Sequence, residues 1–207
     1  MSEARIVRTD SPGWLADAVA VLQRGGLVAF PTDTVYGVGA VAFDPTAVAR
    51  IYRAKGRREE NPIPVLVAGE EAVDKLCLHP PAGARRLAHV FWPGPLTLVV
   101  PKAPGLPAEV SPGPSVGLRA PDHPVAEELL RAIGPLATSS ANPSGKPPAT
   151  RAEDVRASLG GTIDLVIDGG EAPGGMPSTV LDCTCDPPRI LRPGPVSLEQ
   201  ILPVWAG

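Results

Sequence analysis

Four apolar residues, Leu27-Val28-Ala29-Phe30, run straight into Pro31, and the chain turns polar at once with Thr32, Asp33 and Thr34, followed by Tyr36, Gly37 and Gly39. A short apolar run stopped by proline reads as a buried strand, because proline has no N–H to carry the ladder further. Side chains just past such a strand are held by a rigid scaffold yet face solvent, which is where α/β proteins keep their binding groups. The same residues would also serve a plain turn in which Thr and Asp satisfy loop backbone. The stretch alone does not separate the two. Short apolar runs punctuated in this way fill the chain, which carries 27 prolines and 22 glycines in 207 residues. That abundance approaches disordered compositions, but the regularity of the runs and a 43% apolar content predict a packed core made of short elements, in one domain over residues 1–207.

The elements follow in order. Ser11-Pro12 opens a helix running to Gly25-Gly26, with Ser11 as its cap and Trp14, Leu15, Ala18, Val19 and Leu22 on one face. After strand 27–30 and its loop, Asp44-Pro45 opens a second helix that ends in the charged run Arg50 to Glu60. A strand at 63–68 follows, and a strand–helix–strand unit of this length predicts that it returns beside the first strand. Helices are predicted near 70–76, 82–91 and 124–133, and strands at 96–100, 115–119, 136–139, 163–167, 178–183 and 189–192. Thr150-Arg-Ala-Glu153 reads as a capping box for a helix to Leu159, and Ser197 to Leu202 as a last short helix. Mixed short and crossover connections predict an α/β fold with a mixed sheet.

Several classes drop out. A net charge of −3 gives no global nucleic-acid footprint. No apolar run approaches the ~18 residues of a membrane span. MSEARIVRTD lacks a signal-peptide core, and three cysteines (Cys77, Cys183, Cys185) make no disulfide framework, so a reducing cytoplasm is the expected compartment. Cys183-x-Cys185 lacks zinc-knuckle spacing, and His79, His89 and His123 are scattered, so no protein-ligated metal is expected. Gly37-x-Gly39-x-x-Ala42 does not open a helix directly, Ser144-Gly145-Lys146 lacks the leading glycine of a P-loop, and no G-x-S-x-G elbow is present. What remains is a set of hydroxyls and amides at strand ends, Thr32, Thr34, Thr97, Thr138, Ser140, Asn142 and Ser178, among the cations Lys55, Arg57, Arg119 and Arg192. With no nucleophile–base pair, such a set orients ligands and stabilises charge, as phosphoryl or nucleotidyl chemistry requires.

Seven motifs in series carry a resemblance. They are Pro31-Thr-Asp-Thr-Val-Tyr-Gly37, Lys55-Gly-Arg57 with Asn61-Pro62, Pro93-Gly-Pro-Leu-Thr97, Arg119-Ala-Pro-Asp-His-Pro124, Ser140-Ala-Asn142-Pro-Ser-Gly145, Ser178-Thr-Val-Leu-Asp182 and Ile190-Leu-Arg192-Pro-Gly194. In this order, over roughly residues 14–200, they resemble the YrdC-type threonylcarbamoyl-AMP synthase family in its short form, without the extra C-terminal domain of longer members. The resemblance implies a single-domain twisted mixed β-sheet with flanking helices and an open concave cleft. It also implies a nucleotidyltransferase that converts L-threonine, bicarbonate or CO2, and ATP into threonylcarbamoyl-AMP and pyrophosphate. Mg²⁺ would accompany ATP, and the product would reach adenosine 37 of tRNA directly or through downstream transferase proteins. By the same resemblance Lys55, Arg57, Ser140 and Asn142 are catalytic. Thr34, Ser140, Ser178 and Arg119 hold threonine. Lys55, Arg57, Asn61, Thr97, Thr138, Asn142 and Arg192 hold ATP.

Leu66 and Pro101 depart from longer members, which carry a histidine and a basic residue there; Lys102 is the nearest substitute for the latter. Two other readings compete. One is an RNA- or tRNA-binding module using a basic surface of Arg50, Arg53, Lys55, Arg57 and Arg58 without catalysis, against which the 4% aromatic content speaks. The other is carbamoyl-adenylate chemistry like that of the related hydrogenase-maturation carbamoyltransferase.

Overall fold

A computed structural model describes residues 3–174 and 176–207. Ten strands form one twisted, open, mixed sheet: β1 (Arg5–Arg8), β2 (Val28–Phe30), β3 (Gly37–Val41), β4 (Val65–Leu66), β5 (Leu96–Pro101), β6 (Ser115–Arg119), β7 (Leu136–Ser140), β8 (Leu165–Asp168), β9 (Thr179–Asp182) and β10 (Arg189–Arg192). Their spatial order is β1-β8-β2-β3-β7-β4-β6-β5-β9-β10. Among the described residues seven helices flank it: α1 (Trp14–Gln23), α2 (Pro45–Lys55), α3 (Ala72–Leu76), α4 (Ala82–Phe91), α5 (Pro124–Ile133), α6 (Ala152–Leu159) and α7 (Leu198–Ala206). No helix among the described residues is long and apolar enough to cross a membrane.

Alternation along the strands sorts the core onto two faces. On one face Ala29, Val38, Val65, Ala137, Leu98, Leu118 and Leu181 pack beneath α2, α4, α6 and α7. On the other, Val28, Phe30, Leu66, Leu136, Leu165 and Ile167 are covered by Trp14, Ala18 and Leu22 of α1 and by Val125, Ala126, Leu129 and Leu130 of α5. This second cover stops partway across the sheet. Thr97, Gly117, Arg119 and Val180 occupy the same face beyond it, and that bare half is the concave cleft.

Four local expectations need correction. The loop after Pro31 is a hairpin rather than a long irregular segment, with β3 antiparallel to β2 through Val28↔Gly39 and Phe30↔Gly37. Its glycines read as loop, yet they are there for space: a Cβ at Gly37 would stand 2.7 Å from Cγ2 of Thr138 on neighbouring β7. The strand after α2 does not return beside β2; β4 lies between β7 and β6, because β3 and β7 insert first. Ser11 does not cap α1, whose N-cap is Gly13 in the left-handed region (φ 85°). Thr150-Glu153 forms no capping box, since α6 starts from Arg151 with no side-chain cap; a capping box is formed instead by Ser197 with Gln200 at the start of α7. Elsewhere Asp44 caps α2 by accepting from Ala47 N, as the sequence predicts.

At the far edge, the chain after β10 is clamped back onto β9. Oγ1 of fully buried Thr179 donates to Val196 O at 2.8 Å and accepts from Val196 N at 3.0 Å. Thr179→Val keeps the side chain's shape and strands both groups, each at a cost of about 1–3 kcal/mol. The urea midpoint is expected to fall accordingly, and an unchanged midpoint would refute the clamp.

Candidate active site

The site begins where α2 ends. Gly56 closes that helix in the left-handed conformation (φ 58°), so Lys55 stays in the last helical turn while Arg57 is turned toward the open face. Lys55 is 3% exposed, and its ammonium donates to Ser140 O and, at 2.5 Å, to Asn142 O. Its own carbonyl accepts from Ser144 N at 2.8 Å. The lysine–arginine motif and the serine–asparagine motif are thus fastened to one another across 85 residues. Lys55 does not itself line the cleft. Burial pushes its pKa down to about 8, with repulsion from Arg57 adding to the shift.

The loop that Lys55 holds presents Ser140 and Asn142 to a cavity of about 320 Å³, which Thr34, Arg57, Thr97, Arg119, Thr138, Ser178 and Arg192 also line. The amide of Asn142 is oriented: Nδ2 donates to Pro143 O at 2.9 Å and Lys146 O at 2.6 Å, leaving Oδ1 buried and unpartnered. Thr34 and Arg119 meet in the wall of the same cavity. Arg119 donates to Gly94 O at 3.0 Å, to Oγ1 of Thr34 at 3.2 Å and to the carboxylate of Asp33. A register shift in β10 between Ile190 and Arg192 turns Arg192 inward, where it donates to Ser178 O at 2.8 Å and Oγ of Ser178 at 3.0 Å. The Ser178 hydroxyl also lies 2.8 Å from that of Thr97.

Of the residues picked out in the sequence, the structure gathers Thr34, Arg57, Thr97, Arg119, Thr138, Ser140, Asn142, Ser178 and Arg192 around one cavity. Asn61 and Lys55 do not line it; the Asn61 backbone carbonyl instead accepts from Tyr52 and Arg57. Ser178, expected beside threonine, is bonded to two residues expected at the nucleotide. Lys102 donates to Ser111 O and plays no part in the cleft, whereas Leu66 does line it. Asp33 was not among the sequence candidates, because its partner Arg119 is 86 residues away. A second cavity of about 300 Å³ adjoins the first and shares Arg57, Pro64, Thr97 and Arg192 with it. Among the described residues no three His, Cys, Asp or Glu are grouped to hold a metal.

Of the residues of the RNA-binding reading, Lys55 is buried, Arg50 donates to Gly25 O and Asp164, and Arg58 pairs with Glu60, and nothing in the structure supports that reading.

A mixed sheet with a half-covered face thus gathers hydroxyls, an oriented amide and three guanidiniums around one cavity, a set of groups able to hold anionic and polar ligands. Residues 20–194 match the Sua5/YciO/YrdC family model, whose description is "Telomere recombination". A Mycobacterium tuberculosis relative is 48% identical over 191 residues, covering 92% of this chain and 88% of its own. The threonylcarbamoyl-AMP synthase of Bacillus subtilis is 46% identical over 190 residues, covering 90% of this chain and 55% of its own. The crystal structure of Pyrococcus abyssi Sua5 complexed with L-threonine superposes with a TM-score of 0.91 at 44% identity, over 98% of this chain and 61% of that one. The chain belongs to the Sua5/YciO/YrdC family, and it spans about three fifths of the archaeal structure's length.

The buried ammonium has a measurable signature. Lys55 titrates near 8 when folded and near the ordinary 10.5 when unfolded, so between these values the unfolded chain binds more protons and stability rises with pH. Cys77, pushed up to about 11 by burial, acts oppositely above 9, so the comparison with a variant isolates the lysine. Relative to Lys55→Met, the wild type is expected to gain stability from pH 8 to 10.5 in urea titrations; parallel profiles would exclude the shift.

Proposed function

We propose that this protein is a threonylcarbamoyl-AMP synthase, a nucleotidyltransferase acting on L-threonine, bicarbonate-derived CO2 and ATP. The observation that carries this reading is the tie between Lys55 and the Ser140–Asn142 loop, which sets both family motifs beside one cleft furnished with anion donors. The resemblance supplies the chemistry and the cleft supplies groups suited to it. Threonine's amine captures CO2, and an oxygen of the resulting carbamate attacks the α-phosphorus of ATP as pyrophosphate leaves.

Negative charge builds on the phosphates in that step. Arg57 and Arg192 stand at the junction of the two cavities, placed to offset it. The nucleotide extends from there into the second cavity, whose walls include Ile63, Val99, Val180 and Leu191. Thr34 and Arg119 take the amino acid at the other end, with Ser140 and Ser178 between the ligands. Lys55 acts by positioning the loop rather than by touching substrate. Mg²⁺ enters with the triphosphate as part of the substrate. The product then supplies threonylcarbamoyladenosine formation at tRNA position 37, in the cytoplasm.

Pyrophosphate release that requires ATP, threonine and bicarbonate together tests the reading; release without threonine would overturn it. Within that assay Arg192→Ala removes a charged donor worth about 1.5–3 kcal/mol. The expected result is a loss of about 10–100-fold in kcat/KM for ATP, with threonine binding much less affected. Equal losses for both substrates would displace Arg192 from the nucleotide end.

A further inference from the structure

The cleft has two kinds of cationic end. Arg57 and Arg192 donate only to uncharged acceptors: Asn61 O, Pro62 O, Ser178 O and Oγ of Ser178. Among the described residues neither has a carboxylate within ion-pair distance, so their charges add; burial and then Arg57 both lower the pKa of Arg192. Arg119 is different. Its guanidinium is paired with Asp33, and the two side chains are 8% and 13% exposed. Arg119 lines the cleft, whereas Asp33, bonded to it, is not part of the lining. Nε is taken by Gly94 O, one Nη1 hydrogen by Thr34 and one Nη2 hydrogen by Asp33. One N–H on each terminal nitrogen is left, which is the number a carboxylate fork needs.

We propose that Asp33 is a specificity-determining positioning residue: by neutralising and orienting Arg119, it reserves that end of the cleft for the carboxylate of the amino acid and leaves the triphosphate to Arg57 and Arg192. The inference rests on the functional reading above and deepens it. A triphosphate is drawn by summed charge, to which a net-neutral ion pair adds little. An amino acid is a zwitterion, so its carboxylate depends more on the geometry of a fork than on field strength. Unopposed, three bare arginines would invite the more highly charged substrate to spread over both ends and exclude its partner. The penalty against wrong occupancy is therefore built from a negative charge bonded to the binding group and kept out of the cleft's lining. The adjoining cavity fits this division, since it shares Arg57 and Arg192 with the main cleft but not Arg119.

Calorimetric titration with L-threonine, with and without saturating inorganic tripolyphosphate, tests the inference without turnover. In the wild type the dissociation constant for threonine is expected to change by less than about twofold on adding tripolyphosphate. In Asp33→Asn it is expected to rise about tenfold, the scale of one lost charge interaction of about 1.4 kcal/mol. Asp33→Glu, which keeps the charge, is expected to behave as the wild type. Competition in the wild type, or its absence in folded Asp33→Asn, would overturn the role of Asp33; the wild-type arm stands even if the amide variant fails to fold. A wild type that binds no threonine would overturn the functional reading together with this inference, whereas threonine binding with the wrong response to tripolyphosphate overturns only this inference.

Discussion

The ammonium of Lys55, buried between the carbonyls of Ser140 and Asn142, is the contact on which the site depends. It joins the end of α2 to the loop after β7, two segments that do not meet through the sheet ladder. Burying a cation is unfavourable, and its lowered pKa is the measure of that. In return the loop is held in place, and within it both donors of the Asn142 amide are engaged while its oxygen is buried without a partner.

The sheet supplies the rest of the geometry. α1 and α5 cover only part of one face, so strand side chains that would otherwise be core, Thr97, Thr138 and Arg119, become the floor of a cleft. Because that floor consists of paired strands, hydroxyl positions are set by the ladder rather than by mobile loops. Thr138 fits because Gly37 and Gly39 across the ladder have no side chains to displace it. The register shift in β10 serves the same end from the sheet's edge by re-aiming Arg192.

Much of this was legible in the sequence, for physical reasons that can be named. β6, α5 and β10 have the predicted bounds because proline, glycine and apolar periodicity act locally there. The cap on α2 was readable because Asp44 and Pro45 are adjacent. β3 was not readable, since its glycines answer to Thr138, about a hundred residues later. Neither false cap was visible, because Ser11 and Thr150 have the right chemistry but lose to the backbone paths chosen by Gly13 and Arg151. At the site, the motifs marked segments that the fold gathers around one cavity but not the aim of each side chain. Lys55 looks like a phosphate ligand in sequence and is a loop anchor in space. Asp33 looks like turn chemistry and is the counter-ion of Arg119.

Strand order has a consequence for how the molecule comes into being. β8 separates β1 from β2, and β9 lies beside β5, so strands made early are completed by partners made late. While the chain is still emerging from the ribosome, β2 has an unfilled edge and Arg192 has not been synthesised. Non-local pairing of this kind delays closure of the native structure. A nascent fragment that stops short of β10 therefore lacks Arg192 and presents an incomplete cleft.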